Sequence, residues 1–161
     1  MVLGDLSLWK LLNDLVRDPE PDPDQVNPAS IDVRVGREML LEVGPGEFRA
    51  VDLTTGPVEL LPGDFALVPT LEWLTVPNGY AVALALKSSG VSQGLAQSMT
   101  AWLDPGWCGV ATLELRNITR HTPIRIECGL RLAEIVVHAL DQPAVRPHRG
   151  QPAAAAEGRR R

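Results

Sequence analysis

Residues 83–117 read ALALKSSGVSQGLAQSMTAWLDPGWCGVATLELRN, and the fold turns on where this stretch breaks. The apolar run into Leu86 has the pattern of a buried strand and stops at Lys87-Ser88-Ser89-Gly90. A second run leads into Thr100-Ala101, Asp104-Pro105-Gly106-Trp107 forms a tight corner, and residues 110–115 give another strand. That last strand carries one acid, Glu114, among apolar neighbours. An isolated buried charge is unfavourable, so such a carboxylate is paired, ligated or functional. The Lys-Ser-Ser-Gly corner offers a cation, two hydroxyls and a permissive backbone, which suits an anionic ligand such as phosphate.

The same punctuation extends outward in both directions. Strand-like runs at residues 31–35, 39–43, 58–61, 65–68, 74–76 and 80–86 end at Gly36, Gly44-Pro45-Gly46, Pro62-Gly63, Pro69, Pro77-Asn78-Gly79 and the Lys87 corner. Residues 124–126 and 130–137 continue the pattern, and 143–147 read as a final extended edge. Short strands between Gly and Pro turns predict an all-β protein, a distorted barrel or jelly-roll-like sandwich. One amphipathic helix is expected at residues 5–17, where Leu8, Leu11, Leu12, Leu15 and Val16 recur at helical spacing, with Asp5 as its N-cap. Residues 1–147 are expected to form a single domain. Residues 148–161 (HRGQPAAAAEGRRR) lack apolar periodicity and read as a disordered tail.

The chain has 161 residues and a formal net charge of −5, so no basic face for a nucleic-acid polymer or a membrane surface is expected. A local anion pocket remains compatible with that charge. Cys108 and Cys128 make no disulfide framework, no segment reads as a signal peptide or a membrane span, and a cytoplasmic location is the expectation. His121, His138 and His148 are isolated and no C-x-x-C occurs, so no zinc site is expected. The zinc-deaminase signature, the Walker A loop, G-x-G-x-x-G and G-x-S-x-G are all absent.

Four segments together resemble the dCTP deaminase branch of the dUTPase-like superfamily. They are residues 24–36 (DQVNPASIDVRVG), residues 61–72 (LPGDFALVPTLE), Lys87-Ser88-Ser89-Gly90 with Gly94-Leu95, and residues 100–107 (TAWLDPGW) followed by Thr112-Leu113-Glu114-Leu115-Arg116-Asn117. The resemblance covers roughly residues 24–147. It implies the dUTPase-like β-clip fold, a homotrimer with active sites between subunits, and hydrolytic deamination of a cytosine nucleotide without zinc. Magnesium would arrive on the nucleotide's phosphates. Glu114 falls on the family's general base, since a partly desolvated carboxylate can take a proton from water attacking C4. Ser88 would position that water or meet phosphate, and Lys87, Ser89 and Gly90 would complete the phosphate corner. The backbone at Thr100 and Ala101 would read the pyrimidine edge, and Asp104 and Trp107 would meet the sugar.

The chain departs from the family pattern at defined places. Lys87 replaces the first arginine of R-S-S and keeps its charge without the bidentate fork. Ser92 replaces the second arginine, which pairs with the catalytic glutamate in the family. Glu134 stands for a glutamine, the Tyr- and Lys-containing lid is missing, and the stretch from Ala101 to Asp104 is one residue short. Two other readings therefore stand beside the deaminase: a non-catalytic nucleotide-binding or regulatory homologue, and a dUTPase-like pyrophosphatase. Individual residues also have bland readings. Glu114 could be a strand acid on the solvent face or one paired with Arg116 or Arg125, Asp104 could only cap backbone amides, and Trp107 could only pack.

Overall fold

The computed structural model describes residues 1–98 and 101–149. Helix α1 (Asp5–Leu15) buries Leu8, Leu12 and Leu15 along one face. Gly4 is its N-cap, and Asp5 sits in the first turn with Oδ1 accepting the Leu6 N–H at 2.7 Å. The helix ends two residues earlier than the periodicity suggests. Val16 is already extended and opens β1 (Val16–Asp18), which pairs antiparallel with Leu74 and Trp73. Asp18 precedes Pro19, whose ring disfavours helical backbone in the residue before it.

A 3₁₀ turn (Pro23–Gln25) leads to β2 (Ile31–Arg34), the hairpin β3 (Glu38–Gly44) and β4 (Glu47–Asp52), and β5 (Val58–Leu60). Next come β6 (Phe65–Thr75), β7 (Tyr80–Leu86), helix α2 (Ser88–Ser92), β8 (Leu95–Gln97) and β9 (Ala101–Leu103). The remaining strands are β10 (Cys108–Asn117), β11 (Ile124–Ile126) and β12 (Arg131–Ala139). One sheet has the order β4-β3-β6-β10-β8, with β1 also on β6; a second has the order β2-β12-β7-β9; β5 and β11 form a separate pair. Every pairing is antiparallel. Both larger sheets feed one core, which joins Met39, Val68, Leu113 and Leu115 to Ile31, Leu84, Ile135 and Val137. Among the described residues no sheet closes on itself, so the expected all-β architecture is realised as a distorted, open arrangement.

Three further expectations change. Pro69 does not end a strand, because β6 runs through it from Phe65 to Thr75. Proline is tolerated there since the partner β10 slips register between Val110 and Thr112, opposite Pro69, where a ladder donor is dispensable. The Pro69 carbonyl instead accepts the Gly36 N–H at 2.8 Å, and a Cβ on Gly36 would lie 2.8 Å from that same oxygen. Second, residues 143–147 form no strand. Pro143 and Pro147 have no N–H to give, and the bonds that fasten the segment include the Ala144 N–H on the Asn78 carbonyl and the His148 N–H on the Pro105 carbonyl. The docked part of the chain thus reaches His148, inside the expected tail; residues 150–161 lie outside the described residues. Third, the Lys-Ser-Ser-Gly corner is a short helix, α2, with Lys87 as its N-cap.

Candidate functional site

The α2 corner is fastened to the second sheet. The Lys87 N–H donates to the Leu132 carbonyl at 2.9 Å, and Gly90 comes so near β12 that an added Cβ would meet Leu132 Cδ1 at 2.8 Å. Ser88 and Ser89 are exposed and their hydroxyls make no bond among the described residues, which leaves both free for a ligand. Ser92, which the resemblance set against an arginine, turns back to donate to the Ser89 carbonyl at 3.1 Å.

Lys87 has a partner that the sequence did not suggest. Its Nζ donates to both oxygens of Asp32 at 2.6 Å. Asp32 is 3% exposed and also accepts from Asn27 Nδ2 at 2.7 Å. Gln25 Nε2 links this group to a second one, donating to the Asp32 carbonyl and to Glu72 Oε1. Glu72, fully buried, accepts the Arg34 N–H and Arg34 Nε, each at 2.7 Å. Glu134 lies directly opposite Asp32 across β2 and β12 and accepts the Ser30 hydroxyl at 2.8 Å. Gln25, Asp32, Arg34 and Glu72 fall inside the segments 24–36 and 61–72 that carry the resemblance, but nothing in the sequence paired them with one another or Asp32 with Lys87.

Glu114 is half-buried on the outward side of β10, level with Leu67 of β6. The strand is held beside β8, whose end is marked by the Ser98 N–H bonding the Glu114 carbonyl at 3.0 Å. Its carboxylate makes no hydrogen bond or ion pair among the described residues. The ion-pair alternative for it therefore fails, since Arg125 pairs with Glu127 at 2.7 Å and Arg116 pairs with nothing described, while a strand acid on the solvent face is compatible with its half-exposed position. The row through Ala50, Leu40 and Leu67 gives Glu114 apolar neighbours on one side.

Ala101 pairs with Leu84 at the start of β9; Thr100 lies outside the described residues. Asp104 is exposed at the corner, where its carbonyl accepts the Trp107 N–H at 3.0 Å. Its carboxylate bonds none of the described residues, so capping the turn is not its role. Trp107 is half-buried against the core, as a packing aromatic would be. From Cys108 to Glu114 the strand rises about 20 Å. One chain therefore brings Glu114 beside Ser98 but sets it about that length of strand from the Asp104 corner.

Two clefts lie near these parts. One of about 220 Å³ beside α2 is lined by Ser89, Gly90, Gln93, Arg125, Arg131 and Leu132 among others. Another of about 540 Å³, lined by Gly36, Arg37, Asp52, Thr54, Thr70 and Val110 among others, holds none of the expected site residues. Among the described residues no three His, Cys, Asp or Glu side chains come together as a metal site would require.

Compared with known families, residues 2–140 match the dCTP deaminase-like family. The chain belongs to that family. It is 33% identical to a dCTP deaminase of Pyrococcus furiosus, over 88% of this chain and 86% of the relative. It is 32% identical to a "dCTP deaminase, dUMP-forming" of Dictyoglomus thermophilum, over 92% of this chain and 85% of that one. The crystal structure of 2'-deoxycytidine 5'-triphosphate deaminase from Agrobacterium tumefaciens superposes with a TM-score of 0.73 at 26% identity. That match takes in 86% of this chain and 47% of the other, so the chain spans about half the length of the solved protein. A dUTPase of Staphylococcus bacteriophage 80alpha, at a TM-score of 0.53 and 19% identity, shares the fold.

Proposed function

We propose that this chain deaminates a cytosine deoxynucleotide by hydrolysis, with Glu114 as general base. The observation that carries the reading is the Glu114 carboxylate: half-buried on a strand beside apolar residues, it has no structural partner among the described residues. In the reaction, Glu114 takes a proton from water as the oxygen bonds C4 of the ring. The C4=N3 electron pair moves to N3, the proton held by Glu114 is delivered to the 4-amino nitrogen, the C4–N4 bond breaks and ammonia leaves; the new C4 hydroxyl becomes the carbonyl and its proton ends on N3, giving a uracil nucleotide. Ser88 and Ser89 offer unengaged hydroxyls to the phosphates or the water, the backbone at Thr100 and Ala101 reads the ring edge, and Asp104 meets the sugar. No zinc takes part in this reading, and magnesium enters as part of the nucleotide.

A homotrimer with sites between subunits completes the proposal. Its support is the distance between Glu114 and the Asp104 corner, together with the outward face of the first sheet. There Leu40, Leu67 and Phe65 are only half-covered, and Phe48 is 40% exposed, packed edge-on against Phe65 with ring centroids 6.3 Å apart. A second copy on that face would bury apolar surface and enclose Glu114.

The test is incubation with dCTP, dCDP and dCMP in magnesium, with ammonia and the uracil nucleotide measured together. The proposal expects equal amounts of both; the split between dUTP and dUMP reports whether phosphate is also cleaved, as the Dictyoglomus relative's name describes for that protein. Nucleotide binding with no ammonia from any substrate would favour the non-catalytic reading. Ser92, which has its hydroxyl on a backbone carbonyl where the family has an arginine, is the observation that keeps that reading in view.

A further inference from the structure

We infer that Lys87 is a positioning residue, which ties the Ser88–Gly90 corner to Asp32 and does not touch the nucleotide's phosphates. The nucleotide half of this inference rests on the deaminase reading above. Geometry carries the rest. The ammonium is spent on both Asp32 oxygens at 2.6 Å, and the Lys87 side chain is 27% exposed against 4% for Asp32. Asp32 needs that charge. It is buried, faces Glu134 directly across the strand pair, and has one other side-chain donor, the neutral Asn27 amide. Pulling the lysine toward a phosphate would leave two carboxylates facing each other with no cation between them, an arrangement that low-dielectric surroundings penalise heavily.

The same pair has a mechanical effect. Lys87 is the residue immediately before α2, so an anchored side chain fixes where the helix begins. Two further attachments act at the same place: the Lys87 N–H on the Leu132 carbonyl, and Gly90 seated where a Cβ would collide with Leu132. Together they orient the two free serine hydroxyls. Asp32 thereby becomes a residue of the site although it lies 55 positions away in sequence and touches no substrate.

A double-mutant cycle on the full-length protein tests this, using Lys87→Gln, Asp32→Asn and the double variant, which replaces the ion pair with a neutral pair able to hydrogen-bond. Thermal unfolding and hydrogen exchange of residues 88–94 are read first, because neither needs a substrate. Each single variant is expected to lower Tm and to speed exchange in that segment, and the double variant to recover most of both losses. Additive losses would show that the pair does not hold the corner and would overturn the inference. KM for dCTP, or Kd if there is no turnover, is then compared at matched folded fraction. A positioning lysine predicts that the double variant returns to within about twofold of wild type. A phosphate-binding lysine predicts recovered stability with KM still raised by about tenfold or more, the value of one charge-assisted hydrogen bond, and that result would overturn the inference. Failure of the wild-type protein to bind or turn over any cytosine nucleotide would refute the deaminase reading, and the stability and exchange arms would still decide whether Lys87 holds the corner.

Discussion

Glu72→Gln probes what holds the strand cross-over behind the site. Glu72 is fully buried at the irregular part of β6, where two oxygens receive three donors: the Arg34 N–H, Arg34 Nε and Gln25 Nε2. Glutamine keeps the size but removes the charge, and its amide NH₂ must face at least one of those donors. Breaking a buried pair from one side costs about 3–5 kcal/mol. The lower end applies here because the Arg34 side chain is 22% exposed and can recover some hydration. For a domain of this size each kcal/mol moves Tm by about 2–4 °C, so a fall of about 6–12 °C is expected by circular dichroism. Arg34→Met should be worse, since it leaves the Glu72 carboxylate buried with no cation. Combining Arg34→Met with Glu72→Leu should recover most of the loss, because apolar groups of similar volume leave no orphan. A shift under about 2 °C for Glu72→Gln would refute the claim that this network is a principal clamp between β2 and β6.

Two further outcomes follow from single contacts. Gly106 has φ +84°, and a Cβ there would lie 2.8 Å from the His148 carbonyl oxygen and 2.9 Å from Pro147 Cβ; Gly106→Ala should therefore lower stability by about 1–3 kcal/mol and raise exchange at the His148 amide. Asp52 titrates below the usual carboxylate range, because the Thr54 hydroxyl and then the Thr54 N–H donate to it. Thr54→Val should move that titration up toward the ordinary value by NMR. A depressed carboxyl of this kind favours folding above its unfolded pKa and loses that contribution as pH falls through its folded value, so any effect on stability should vanish in acid.

The Gly and Pro spacing made the strands legible, because turn residues mark where a chain must reverse. Pro69 misled for the same reason: a proline ends a regular strand, but the register slip in β10 that admits it is a property of the pairing partner. The end of α1 at Leu15 was hidden because Val16 suits both the helical stripe and the ladder with Leu74. At the site, Glu114 and the serine corner stood out as polar residues in apolar or turn settings. What the sequence could not reveal was that Lys87 is already engaged. Its partner is distant along the chain, and a free surface lysine and a half-buried, paired one are written with the same letter.

The central claim is that Glu114 takes the proton from water. Its most direct test is ammonia release from dCTP by wild type and Glu114→Gln, alongside Kd and Tm for both. The account predicts that turnover falls by about 10²–10⁴-fold, with binding and stability nearly unchanged, because the amide keeps the shape and cannot accept the proton. A Glu114→Gln variant as active as an active wild type would contradict it.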